Sequence, residues 1–213
     1  MARKRIKEEP RKTILIVTAT ESEALYFSQM RKDCRFSNMT VQWVEKYKDL
    51  TDLVNISSRM RGAGNFASVW VVFGLSDLEI TPEEVKALLP YAKKKKVKLA
   101  WTNPSFSLWY LLHLQTPRGF VAESQTIAKA LETPLAGFSK EPAYLLTDGL
   151  NLHLKLYPYK ARAAVNASNY NSLVEARLGL PATNLISLFN DITDVCGLAD
   201  LTHNQKQLGM KKS

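Results

Sequence analysis

The sequence has few of the residues that build zinc sites, disulfide frameworks and membrane spans. It contains three histidines and two cysteines, Cys34 and Cys196, and their spacing matches no metal-binding pattern. Two isolated thiols predict a reduced, cytoplasmic protein. No apolar run reaches the ~18 residues of a transmembrane helix. The charged opening also lacks the apolar segment of a secretory signal. We therefore expect a cytoplasmic protein with no membrane partner.

Positive charge is concentrated in three short segments of the chain. The net charge is +9, and residues 1–12, 93–98 and 203–213 contribute +4, +5 and +3 to it. The remainder of the chain therefore carries about −3. Such clusters attract phosphate backbones, although lysine-rich segments also serve only to solvate a surface. We predict weak, non-specific binding of DNA or RNA by the following residues: Arg3, Lys4, Arg5, Lys93, Lys94, Lys95, Lys96 and Lys98.

Short apolar strands alternate with amphipathic helices over the first half of the chain. The pattern predicts strands at residues 13–18, 39–45, 68–73 and 97–102. Helical periodicity and helix-capping residues fill the intervals between these strands. This alternation predicts an α/β fold with a four-stranded, largely parallel sheet and helices on both faces.

Beyond residue 102 the pattern becomes helical. It predicts helices over residues 103–114, 122–132, 141–177 (broken) and 181–196. We therefore expect three parts in one domain. They are a basic leader (1–12), an α/β core (13–120) and a helical C-terminal lobe (121–213) that ends in the basic tail 203–213.

The segments that follow the strands are the first place to look for a site, because ligands of parallel sheets bind beyond the carboxyl ends of the strands. The segment after the first strand contains Glu21 and Glu23, and the segment after the third contains Asp77. The first two acids fall in a first helical turn, where the helix dipole alone favours them. Asp77 is also a common type of turn residue.

Three stretches of the chain resemble the RloB-like proteins of bacterial anti-phage defence, which have a Toprim-type α/β fold. The stretches are ILIVTATESEALYF (14–27), VWVVFGLSDL (69–78) and NPSFSLWYLLHL (103–114), with a weaker likeness in LPATNLISLFNDI (180–192). The third stretch is the most specific. Its matching residues are Asn103, Pro104, Phe106, Leu108, Trp109 and His113. The resemblance implies a Toprim-like fold and a companion ATPase as partner.

The resemblance also implies a metal site whose acids this chain lacks. Active Toprim proteins use a glutamate after the first strand and an Asp-x-Asp after a later strand to position a divalent metal for phosphodiester chemistry. Relative to the family pattern, these acids and a further glutamate fall on Ala19, Gly74, Ser76 and Ser107. We therefore predict no metal and no catalytic residue. We expect a degenerate protein whose acid-poor cleft, ringed by lysine, serves nucleic-acid binding or assembly.

Two alternatives stay open on the sequence. An active nuclease would use Glu21 and Asp77 with Mg²⁺ or Mn²⁺. A structural subunit would instead accompany an ATPase without binding nucleic acid. Metal-dependent cleavage distinguishes the first alternative, and the absence of nucleic-acid affinity distinguishes the second.

Overall fold

The computed structural model describes residues 11–204 and Leu208. Its four strands are β1 (Ile14–Thr18), β2 (Met39–Trp43), β3 (Ser68–Gly74) and β4 (Lys98–Thr102). Every neighbouring pair is parallel, and the spatial order is β2-β1-β3-β4. The predicted α/β fold with a parallel sheet is therefore confirmed.

Helices connect the strands and make up most of the chain after β4. Their bounds are α1 (Glu21–Asp33), α2 (Leu50–Gly64), α3 (Pro82–Lys94), α4 (Ser107–Leu114), α5 (Ser124–Glu132), α6 (Pro142–Leu145), α7 (Leu152–Leu156), α8 (Lys160–Leu178) and α9 (Leu185–Cys196). Short 3₁₀ turns follow α7 and α9 at Tyr157–Tyr159 and Thr202–Asn204. The predicted helical C-terminal region is confirmed. Across the described ranges, no helix combines the length and apolar character needed to cross a membrane.

Local capping explains where two of these helices begin. At α1, the side chains of Thr20 and Glu23 each bond the other's backbone N–H, which forms a capping box. Thr81 and Glu84 form the same motif at α3, and Pro82 supplies the first helical residue. Both starts lie just beyond the carboxyl ends of strands, so the first turns of α1 and α3 face that edge of the sheet.

The last long helix begins later than the sequence predicts. We expected a helix from residue 181, but α9 starts at Leu185. Thr183 instead forms an antiparallel bridge with Thr102, and the Asn103 N–H donates to the Ala182 carbonyl at 2.8 Å. These backbone groups are therefore used to hold the end of β4 and cannot join a helix.

The two faces of the sheet pack against different helices. Alternate residues such as Ile14 and Ile16 belong to a core shared with α1 and the C-terminal helices. The intervening residues, such as Leu15 and Val17, belong to a second core shared with α2 and α3. The C-terminal helices therefore complete the core on one face, and they also reach the carboxyl edge of the sheet.

Candidate functional site at the carboxyl edge

A cleft of about 140 Å³ lies beyond the carboxyl ends of β1, β3 and β4. The segments after these strands supply three parts of its lining, at residues 20–23, at residue 77, and at residues 105–107 and 110. The fourth part, residues 139–142, comes from the segment between α5 and α6. Sequence reasoning predicted the first three parts from strand order. It missed the fourth, because nothing in the local sequence shows that this segment returns to the sheet.

Glu23 lies on the floor of the cleft and is almost completely buried. Its Oε2 accepts the Thr20 N–H at 3.1 Å, whereas Oε1 has no hydrogen-bond partner among the described residues. Burial raises the pKa of this carboxyl well above its ordinary value, and the nearby charge of Asp77 adds to the increase. Glu23 therefore caps the start of α1, and its carboxyl holds a proton more readily than that of an exposed glutamate.

Asp77 is the acid that the third strand presents to the cleft. Its side chain is 14% exposed, and Oδ1 lies 3.5 Å from the Lys140 Nζ. Burial raises the pKa of Asp77 even though the Lys140 charge acts in the opposite direction. The Ser22 hydroxyl also donates to the Lys140 carbonyl at 2.7 Å. These two contacts hold the segment that contains Lys140 against the first turn of α1.

Ala19 and Gly74, two of the four positions expected to carry the Toprim acids, are buried. Ala19 is buried, and its carbonyl accepts the Tyr47 hydroxyl at 3.3 Å. A Cβ on Gly74 would collide with Asp77 Oδ2 and would lie 2.9 Å from the Ser105 Cα. The Ser105 backbone and the Asp77 side chain therefore fill the space that a longer residue at position 74 would need.

The groups that remain in the cleft do not fit a divalent cation. Within residues 11–204, no group of three or more acidic, histidine or cysteine side chains is arranged to hold a metal. Mg²⁺ and Mn²⁺ require several oxygen ligands around one point. Of the acids that line the cleft, Glu23 caps a helix and Asp77 contacts an ammonium group. The more exposed Glu21 and Glu141 form its rim. The structure brings Glu21 and Asp77 to the same cleft, as the nuclease alternative requires, but not as a complete ligand set.

The predicted lysines lie at the opposite edge of the sheet. Residues 93–96 end α3 and immediately precede β4, which begins at Lys98. The five residues of β4 place this amino edge roughly 16 Å from the cleft. The expectation of a cleft ringed by lysine is therefore wrong. Arg3, Lys4 and Arg5 lie outside the described residues, as do most of the tail residues 203–213.

Charge is separated between the two edges of the sheet. The first turns of α1, α2 and α3 carry acids, and the last turns of the same helices carry basic residues, as helix dipoles favour. Because all three helices run back against parallel strands, their last turns meet at the amino edge. That edge is therefore basic, and the cleft lies at the acidic edge.

The two cysteines and His153 lie away from the cleft. Cys34 and Cys196 are buried free thiols, and burial raises their pKa values to about 12 and about 11. Such thiols are poor nucleophiles at neutral pH. His153, for which the sequence indicated no partner, pairs with Asp33 through Nδ1 and Oδ2 at 2.7 Å. This buried pair joins α7 to the end of α1.

The family model described as RloB-like protein matches residues 14–192 of the chain. The match includes the strand loops, the segment at residues 139–142 and the bridge after α8, so it covers every part of the cleft. No curated protein and no solved structure matches the chain. On the extent of the family match, the chain belongs to the RloB-like protein family.

Proposed function

We propose that this RloB-like protein is a non-catalytic, nucleic-acid-binding or assembly subunit of a bacterial anti-phage defence system. The observation that carries the proposal is the separation of charge: the exposed side chains of Lys93, Lys94 and Lys96 lie together at the amino edge, away from an acidic cleft. Binding to phosphate backbones needs cations and does not need a metal. The amino edge supplies a cluster of such cations.

The cleft itself is poorly suited to phosphodiester chemistry. Glu21, Glu23, Asp77 and Glu141 line it, and Lys140 is the one basic residue among its lining residues. Without a metal, this excess of acids repels a phosphate backbone. The nuclease alternative needs a cation that Glu21 and Asp77 would have to hold largely by themselves. We therefore favour binding over cleavage.

The lysines of the amino edge differ in how available they are. Lys93, Lys94 and Lys96 are exposed, and none forms an ion pair within the described part of the chain. In contrast, the Lys98 Nζ contacts Asp191 at 2.9 Å, and the Lys95 Nζ lies 5.4 Å from the centre of the Tyr91 ring. We expect the first three lysines to contribute most of the phosphate contacts and Lys98 to contribute least.

Fluorescence anisotropy with two unrelated oligonucleotides tests this proposal between about 50 and 200 mM salt, where counterion release is readily measured. If about four phosphates are neutralised, the log–log salt slope should be about −3 to −4. The K93A/K94A/K96A variant should bind both oligonucleotides more weakly and with a shallower slope, because phosphate contacts carry no sequence information. The matched control K46A/K48A/K129A removes the same charge from exposed sites elsewhere and should keep the parent slope. Equal loss in both variants would reject the amino edge as the binding surface.

Two further measurements separate the alternatives. Metal-dependent cleavage of the same oligonucleotides, lost in E21Q and D77A, would select the nuclease. Copurification with an ATPase, together with no measurable nucleic-acid affinity, would select the structural subunit. Salt-sensitive binding without cleavage is the result that we expect.

A further inference from the structure

Three buried polar atoms without partners belong to residues that line the cleft at the carboxyl edge. They are Glu23 Oε1, Ser105 Oγ and the Tyr110 hydroxyl, and each residue is more than nine-tenths buried. Within the described part of the chain, none of these atoms has a hydrogen-bond partner. A buried polar group left without a partner costs about 1–3 kcal/mol. A ligand that forms hydrogen bonds with these atoms would remove that cost.

The three atoms come from different parts of the fold. Glu23 lies in the first turn of α1, Ser105 in the turn after β4, and Tyr110 within α4. Their residues nevertheless line one cleft of about 140 Å³ that opens to solvent beside Lys140 and Glu141. A space with several convergent polar groups is what a small-ligand site requires.

The charge around the three atoms selects the kind of ligand. Glu21, Asp77 and Glu141 also line the cleft, opposed there only by Lys140. An anion such as phosphate would meet net repulsion, whereas a cation would meet attraction. The chain already shows one such contact, because the Lys140 ammonium group lies 3.5 Å from Asp77 Oδ1 at the mouth of the cleft.

We propose that this cleft binds a primary ammonium group, whose three N–H donors pair with Glu23 Oε1, Ser105 Oγ and the Tyr110 hydroxyl oxygen. A primary ammonium has three donors and no acceptor, which matches the acceptor lone pairs of two hydroxyl oxygens and of an ionised Glu23 carboxylate, and its positive charge favours that ionised form. The side chains of Phe106, Pro142 and Leu145 also line the cleft and supply apolar surface for a short alkyl chain. The ligand class is a small aliphatic amine, and a second ammonium group on the same molecule would reach the carboxylates of the rim.

This inference is independent of the proposed nucleic-acid binding, because it concerns the opposite edge of the sheet. The K93A/K94A/K96A variant should bind amines as the parent does. If that variant keeps the nucleic-acid affinity of the parent, the proposed function is contradicted and the amine site is not. If the parent does not bind amines, the amine site is contradicted and the proposed function is not.

Isothermal titration calorimetry of the full chain with 1,4-diaminobutane tests the inference. We expect saturable binding, no binding of 1,4-butanediol, and much weaker binding of tetramethylammonium, which has charge but no N–H donor. A parallel titration with Nα-acetyl-lysine amide identifies the source of the ammonium group. Tighter binding of the diamine indicates a free amine, and tighter binding of the lysine derivative indicates a side chain of another protein. Absence of binding by both compounds would overturn the proposal.

Variants of the lining residues provide the sharper test. S105A and Y110F should each weaken diamine binding about tenfold or more, because hydrogen bonds to a charged group are the strong ones. Y144F is the matched control, since Tyr144 is half-buried nearby but does not line the cleft. K140Q should bind the diamine several-fold more tightly, because it removes a competing ammonium group. The Lys140 side chain is 56% exposed, so the substitution should leave folding intact. Unchanged affinity in S105A and Y110F, weaker binding in K140Q, or displacement of the diamine by equimolar Mn²⁺ would overturn the proposal.

Discussion

The side chain of Asp77 occupies the space that a Cβ on Gly74 would need. The two residues are also joined through the backbone, because the Asp77 N–H donates to the Gly74 carbonyl at 3.2 Å. The Ser105 Cα closes the same space from the other side, at 2.9 Å from the Cβ position. An acidic side chain at position 74 and the Asp77 side chain in its present orientation therefore cannot occupy this space together.

This relationship predicts a measurable coupling between the two positions. G74A should destabilise the protein by about 1–3 kcal/mol, because the added methyl group overpacks the turn. In a D77A background the cost should be smaller by at least about 0.5 kcal/mol, since one of the two obstacles is gone. Urea unfolding of the four proteins in this cycle measures the coupling. G62A is the control, because a Cβ there meets nothing within 4 Å and an alanine in a helix should stabilise slightly.

The two capping-box glutamates should respond to pH in opposite directions. The pKa of Glu23 is raised by burial, so its stabilising contribution is complete below the ordinary value of 4.5 and is lost as pH rises through the raised value. E23Q should therefore be more thermally stable than the parent at pH 8, and the difference should shrink toward pH 4. Thermal unfolding monitored by circular dichroism across this range measures the effect.

Glu84 supplies the matched comparison. Hydrogen bonds from the Thr81 backbone and side chain lower the pKa of Glu84, so its contribution is present above the ordinary value of 4.5 and is lost as pH falls through the lowered value. E84Q should therefore be no more stable than the parent at pH 8. A stabilised E84Q, or an E23Q without pH dependence, would contradict the assigned environments.

Asp191 on α9 should be more important for stability than its surface ion pair suggests. Its Oδ2 accepts hydrogen bonds from the Ser68 hydroxyl and, at 2.5 Å, from the Trp70 indole N–H, and it contacts the Lys98 Nζ at 2.9 Å. D191A leaves the two buried donors on β3 without an acceptor, so we expect a loss of about 1–3 kcal/mol in urea unfolding. K98A removes only the exposed partner and should cost less than about 1 kcal/mol. Equal losses in the two variants would show that the ion pair dominates.

The buried pair between Asp33 and His153 should hold the C-terminal helices to α1. Both side chains are at most 6% exposed, and Asn151 donates a second hydrogen bond to Asp33 at 2.9 Å. H153A leaves the Asp33 carboxylate buried without its closest partner and should cost about 3–5 kcal/mol. H113A is a control of similar size, since the hydrogen bond of the buried His113 ring within the described residues is to a backbone carbonyl of its own helix, at 2.8 Å, and its packing is against Trp109 of the same helix. If H113A proves the more damaging, the pair is not what joins these helices.

Local sequence patterns predicted the elements of the core. Alternating apolar strands, the capping residues Thr20 and Thr81, and Pro82 at a helix start act within a few residues of one another, so they can be recognised without the fold. The prediction was wrong at residues 181–184, where backbone groups pair with the end of β4 about 80 residues earlier. No local preference could reveal that pairing.

The sequence by itself determined the strands, the helices between them, the family resemblance and the residues that follow each strand. Only the tertiary structure decided which of these residues share a site. Lys140 reaches Asp77, and His153 reaches Asp33, across long stretches of chain whose return path depends on how the helices pack. The direction of the parallel strands then placed the lysines of residues 93–96 at one edge and the cleft at the other. The charges counted along the sequence do not reveal this separation, because it arises only when the strands and helices align side by side.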